Sequence, residues 1–154
     1  MPAEQPGPDR LWAAGEAYEP HAGRWSRIVA VEFLARLGAS AGARWLDVGC
    51  GSGALTEAIL ARHAPAAVIG VDPSEGFLAH ARRHVTDPRA EFLPGDAQAL
   101  PVPDAGFDAV VSGLVLNVVP DQPRAAAELR RVARPGATIA AFVWDYAGGM
   151  QTMR

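Results

Sequence analysis

"WLDVGCGSG", residues 45–53, decides how this chain folds. Three apolar residues and an aspartate run into three glycines spaced two apart. Glycine permits positive φ and removes the Cβ that would block a close approach to the backbone. The pattern describes a buried strand ending in a tight turn, with something seated directly against it. The next residues, "GALTEAILARH" (53–63), place Leu55, Ile59 and Leu60 on one helical face. The start of that helix then points its free backbone N–H groups at whatever occupies the turn.

Outward from the turn, the alternation of strand and helix repeats. Upstream, "SRIVAVEFLARLG" (26–38) is apolar at 28, 31, 34 and 37 plus Phe33, an amphipathic helix from a Ser26 cap to a Gly38 stop. It leads into the strand "ARWLDVG" (43–49). Downstream come the strand "AAVIGVD" (66–72) and the helix "SEGFLAHARRH" (74–84). Ser74 caps that helix, with Glu75 early and Arg82, Arg83 and His84 late, an order that complements the helix dipole. "AEFLPGD" (90–96) and "FDAVVSG" (107–113) are further strands. "DQPRAAAELRRVARPG" (121–136) is a helix with a capping aspartate, an early proline and a Pro-Gly stop. "ATIAAFVWD" (137–145) is a fifth strand. Strands alternating with helices imply an α/β fold, a parallel sheet covered on both faces, and the nearly all-apolar strands agree.

The 154 residues suffice for one domain with a real core. We expect a disordered tail over 1–15, rich in proline and charge, and a single domain over 16–154. A net charge of −3 gives no electrostatic case for nucleic acid. The arginines at 82, 83, 130, 131 and 134 are expected on solvated helix faces. No apolar run approaches the roughly 18 residues that span a bilayer, and the N-terminus lacks a signal-peptide pattern, so no membrane partner is expected. The single cysteine, Cys50, excludes an intramolecular disulfide and fits a reducing cytoplasm.

Ligands of such sheets bind beyond the carboxyl ends of the strands. Gly49, Gly51 and Ala54 satisfy the loose dinucleotide pattern G-x-G-x-x-G/A, and Asp72 stands where an acid would hold a ribose diol. Asp72 supports any adenosine cofactor. Asp47, two residues before the first glycine, discriminates: a carboxylate there repels a pyrophosphate and attracts an ammonium group. Asp96, in "PGDAQALP", is a third acid at a strand end, placed to accept from an exocyclic amine. Acids at three strand ends suit a cationic ligand better than a doubly anionic one.

"WLDVGCGSG", "GVDPS", "GDAQALP", "FDAVVSGLVLNVVPD" and "LRRVARPGATIAAFVWDY" resemble, in order and spacing, the successive motifs of class I S-adenosylmethionine-dependent methyltransferases. The nearest likeness is to the branch with ubiquinone- and menaquinone-biosynthesis-type and other small-molecule enzymes. "YEPHAGRWSR" (18–27) is similar to a lead-in in some of them. The resemblance implies a Rossmann-like three-layer sandwich with strand order 3-2-1-4-5, S-adenosylmethionine as cofactor and a small-molecule acceptor. It implies that Gly49, Cys50 and Gly51 line the methionine and ribose, with Asp47 near the amino group. Asp72 would hold the ribose hydroxyls, and Pro73 and Ser74 would lie beside the adenine. Asp96 and Ala97 would meet the adenine edge. Ser112, Gly113 and Leu114 would border the sulfonium, and Tyr18, Arg24 and Trp25 would close over the methionine end, where Arg24 could pair with the carboxylate.

Other residues carry less. Cys50 reads as a small filler between glycines, without the base a catalytic thiol needs. His21, His63, His80 and His84 show no metal-ligand spacing, no metal is expected, and the helical ones are expected at the surface. Phe77 is open between adenine contact and core. Asn117 is open between the substrate side of the cleft and the cap of a short helix. "WDYAGG" (144–149) is open between substrate contact and a simple turn. No general base is assigned, since no His or Glu stands at a strand end.

Members of the family continue through a helix and an antiparallel strand pair that this sequence, ending at Arg154, does not contain. The strand at 137–145 is therefore expected as an exposed apolar edge, open to a homodimer or a completing partner. Two alternatives stand beside methyl transfer: a non-catalytic cofactor-binding remnant or partner-completed subunit, and an NAD-dependent oxidoreductase, against which the absent second mononucleotide half argues.

Overall fold

The computed structural model describes residues 23–145. The expected tail, Tyr18, His21 and most of "WDYAGG" lie outside them. In chain order the elements are α1 (Arg24–Leu34), β1 (Arg44–Val48), α2 (Ala54–Arg62), β2 (Ala67–Asp72), α3 (Glu75–His84), β3 (Ala90–Pro94), β4 (Phe107–Gly113), α4 (Gln122–Val132) and β5 (Ala133–Phe142).

The strands form one parallel sheet in the order β3-β2-β1-β4-β5. Alternation along β1 sorts its side chains onto two faces. Trp45 joins Ala30 and Leu34 of α1 and Leu55, Ile59 and Leu60 of α2. Leu46 and Val48 face the other way, against Ala125, Leu129 and Val132 of α4 and the loop residues Ala97, Leu100 and Val102. Leu78 and Ala81 of α3 close the first face over Phe92 and Cys50. Three layers result, with the carboxyl ends of β1, β2 and β4 at one rim.

Several boundaries moved, for physical reasons. α1 begins two residues early, after Gly23, with no side-chain cap, so Ser26 lies inside the helix rather than at its start. α4 stops at Val132 and the chain passes straight into β5. Ala133 already pairs with Phe107, and the Pro135–Gly136 corner is absorbed where the register shifts between Phe107 and Ala109. The expected caps hold at Ser74, which accepts from Phe77 N, and at Asp121, which accepts from Arg124 N.

Two surface expectations were overturned. His80 is buried, its ring stacked 3.9 Å from that of His84, whose Nδ1 lies 2.8 Å from the His80 carbonyl. Arg131 is a latch rather than a solvated charge. Its guanidinium donates to the carbonyls of Leu100 and Val102 and pairs with Asp104 and Glu128, tying the β3–β4 loop to α4. Among the described residues, no helix is long and apolar enough to cross a membrane.

Candidate functional site

β1 ends at Val48, and the glycine turn follows. Gly49 sits at φ +73°, and a Cβ there would lie 2.4 Å from Val115 Cγ2. Gly51, at φ +52°, has nothing within 4 Å of that position. Gly53 leaves room for α3: a Cβ would meet Val85 at 3.1 Å and Ala81 at 3.3 Å. Gly49 thus answers to Val115 and Gly53 to α3, while Gly51 faces open space and is set by its positive φ alone.

Four amides of the turn itself are taken up by the chain. Gly49 N and Cys50 N both donate to the Val71 carbonyl, at 2.7 and 3.0 Å. Gly51 N donates to Asp72 Oδ2 at 2.9 Å. Gly53 N donates to the Cys50 carbonyl. A phosphate cradle needs several amides aimed at the anion. Here those amides are spent on the chain itself, and a dinucleotide pyrophosphate would find carboxylates in their place.

Two acids converge on the turn. Asp72, at the end of β2, is held by Gly51 N on Oδ2 and by Ser74 N on Oδ1, both at 2.9 Å. Each oxygen keeps acceptor capacity for a further donor. Burial raises its pKa against these two bonds. Asp47 is fully buried, and the Thr56 hydroxyl donates to its Oδ2 at 2.7 Å. Oδ1 is buried with no hydrogen-bond partner among the described residues. Burial first, and then the charge of Asp72, push the Asp47 carboxyl up to about 7 against the bonds from Thr56. A buried carboxylate with an idle oxygen favours a cationic donor.

A cleft of about 360 Å³ opens over these groups. Its polar lining comes from Asp47, the 49–52 turn, Asp72 and Ser74, with Pro73 beside them. Its apolar lining comes from Gly113, Leu114, Val115, Val118 and Phe142. Ser26 of α1, Ala54 and Leu55 of α2 and Phe77 of α3 complete the wall. The structure therefore brings together Asp47, Gly49, Cys50, Gly51, Asp72, Pro73, Ser74, Gly113 and Leu114.

It does not bring the remaining expected residues to the wall. Ser112 is fully buried and donates to the Val48 carbonyl at 2.8 Å, bracing β4 against β1 beneath the cleft. Ala97 belongs to the core on the α4 face. Asp96 is exposed, its carboxylate turned onto Gln98. Arg24 and Trp25 share a helical turn with Ser26 but point outward, with Trp25 58% exposed. Sequence reasoning missed Ser26, Ser52, Leu55, Val115, Val118 and Phe142, which enter the cleft through loop and helix placement. Only the apolar run around Asn117 hinted at two of them.

Cys50 is buried, and its Sγ would lie 2.9 Å from a Cβ on Gly70, so the thiol fills the space that glycine leaves in β2. Burial and the two neighbouring acids push its pKa well up, which makes it a poor nucleophile. A second recess, about 410 Å³, lies at the opposite end of the sheet beside Asp108 and Arg134. Those two side chains are already paired at 2.6 Å, and the recess is far from the strand carboxyl ends. Among the described residues, no group of three or more His, Cys, Asp or Glu could hold a metal.

The geometry agrees with what the chain resembles. Residues 46–141 match the family model described as a methyltransferase domain. The demethylmenaquinone methyltransferase of Symbiobacterium thermophilum is 41% identical over 120 residues, which cover 75% of this chain and 47% of that one. The trans-aconitate 2-methyltransferase of Methylobacterium nodulans is 37% identical over 116 residues, 75% of this chain and 44% of that one. The solved S-adenosylmethionine-dependent methyltransferase from Mesorhizobium loti superposes with a TM-score of 0.66 at 29% identity, covering 75% of this chain and 52% of that one. The chain spans about half the length of the curated relatives it matches. With its 3-2-1-4-5 sheet, its glycine turn and its paired strand-end acids, the chain belongs to the S-adenosylmethionine-dependent methyltransferase family.

Proposed function

We propose that the protein uses S-adenosylmethionine to methylate a small-molecule acceptor. The observation that carries this is the pair of acids in the cleft wall: Asp72, pinned by Gly51 N and Ser74 N, and Asp47, with Oδ1 idle. Asp72 would accept from the two ribose hydroxyls. Asp47 Oδ1 would meet the methionine ammonium, and the backbone at Gly49, Cys50 and Gly51 would run beside the methionine and ribose. Pro73, Ser74 and Phe77 would flank the adenine. Gly113 and Leu114 would border the reacting end.

When bound, the cofactor supplies a methyl group already activated on a sulfonium. The chain's contribution is to hold the acceptor in line with that methyl and to exclude water, an effect worth several kcal/mol of the barrier. The apolar lip of Leu114, Val115, Val118 and Phe142 serves both tasks. Names of relatives support a small acceptor, a quinone precursor in one case and a carboxylic acid in another. β5 is one of the sheet's two edge strands, with Ile139 on it and Val143 just past it half exposed, and we place a homodimer contact or a completing partner there.

Calorimetry with S-adenosylhomocysteine on the wild type and on Asp72→Ala tests the cofactor role. Micromolar binding that the variant loses supports it; no binding by the folded wild type sinks it. A methyl-transfer assay over an acceptor panel then separates an enzyme from a cofactor-binding subunit, for which transfer stays silent while binding persists.

A further inference from the structure

The glycine turn is approached closely by the chain itself. The methyls of Val115 come within 2.4 and 2.7 Å of where a Gly49 Cβ would stand. Val115 and Gly49 both line the cleft. Three further observations fall on the same short segment. Leu114 adopts φ +62°, a left-handed conformation that is costly for a branched residue. Both polar atoms of the Asn117 carboxamide are buried without a hydrogen-bond partner among the described residues. Val118, at the cleft lip, is 53% exposed.

Backbone hydrogen bonds tie these residues together. Val118 N donates to the Val115 carbonyl at 2.9 Å, closing a turn with Asn117 inside it. Leu114 N is pinned to the Phe142 carbonyl at 2.7 Å, so the hinge lies between Leu114 and the turn. Leu116 and Val119 stay packed against the α4-side core, which limits the motion to a rock of the turn.

We infer that the 115–118 turn is a gate that this chain closes over its own cofactor turn, with Val115 as the plug and Leu114 as the hinge. Entry of the cofactor rocks Val115 off Gly49, and the same motion brings the Asn117 carboxamide out of its unsatisfied burial. The closed state carries the left-handed Leu114 and the stranded amide, so it yields to a ligand at modest cost. The inference rests on the cofactor assignment above.

S-adenosylhomocysteine binding to the wild type, Val115→Ala and Asn117→Leu tests it, together with methyl NMR of Val115 in the wild type. Val115→Ala removes the plug and is expected to lower the S-adenosylhomocysteine Kd by about five-fold, because more of the protein is already open. Asn117→Leu removes the buried amide outside the cleft wall. It is expected to raise Tm and to weaken binding by about five-fold, because the closed state is favoured. In the free wild type, Val115 methyls show contacts to the Gly49 α-protons that vanish on saturation. Retained contacts in the saturated complex, or a Val115→Ala variant that binds no tighter, overturn the gate while leaving the cofactor assignment intact. Binding by none of the three folded proteins overturns both. The NMR arm decides the question in the wild type should either variant fail to fold.

Discussion

Gly49 has no side chain because its α-carbon is crowded. Its φ of +73° and the Val115 methyls over it each exclude an ordinary residue. Asp47, two residues earlier, was legible as a charge but not as a titration. Its carboxyl is raised to about 7 in the fold from an ordinary value of 3.8. The folded state therefore keeps a proton that the unfolded chain loses, and stability falls as pH rises from about 4 through 7. The cost at pH 8 is up to about 4 kcal/mol. Asp47→Asn keeps an acceptor for the Thr56 hydroxyl and carries no charge. Its Tm is expected to exceed that of the wild type at pH 8, with the gap closing by pH 5, in thermal melts across that range. The same variant is expected to bind S-adenosylhomocysteine more weakly at pH 8, where the wild-type carboxylate is charged.

At the scale of elements, local chemistry placed the helices well. Asp121 stands before α4 with Pro123 in its first turn, and its Oδ1 accepts from Arg124 N at 3.0 Å. Its backbone N–H also donates to Gln98 Oε1, joining the cap to the β3–β4 loop. Asp121→Ala is expected to cost about 1 kcal/mol in urea unfolding, without affecting cofactor binding. Where elements differed from expectation, a partner strand overrode a local signal. Pro135 and Gly136 read as a helix stop with the strand still to come. In the fold Ala133 is already paired with Phe107, and the corner is carried inside β5. Similarly, Ser26 reads as a cap, yet α1 starts earlier and Ser26 turns into the cleft.

Among the described residues, the molecule is a parallel sheet with helices on both faces and two edge strands, β3 and β5, of which we assign association to β5. Ile139 pairs with Val110, whose face is the one α4 covers, yet Ile139 remains 45% exposed and Val143 beyond it 50%. An apolar edge with free ladder groups invites another strand. Sedimentation velocity at rising concentration is expected to show association that Ile139→Lys reduces. Unchanged association in that variant would place the contact elsewhere.

The order of strands and helices, the glycine turn, the caps at Ser74 and Asp121 and the acids at strand ends followed from the sequence by itself. Each depends on neighbours within a few residues: side-chain period, φ preference, and dipole complement. Which of those residues reach the cleft was settled only by tertiary structure. Asp47 and Asp72 face it, while Ser112 braces β1, Ala97 enters the opposite core and Asp96 folds back on Gln98. Neighbouring residues of a strand point to opposite faces, so pairing register decides inward or outward. The turn's amides were spent on Val71 and Asp72, and Val115 was set over Gly49, by contacts between residues 21 to 66 positions apart. No local pattern encodes such distances, because they exist only once β2 and β4 flank β1.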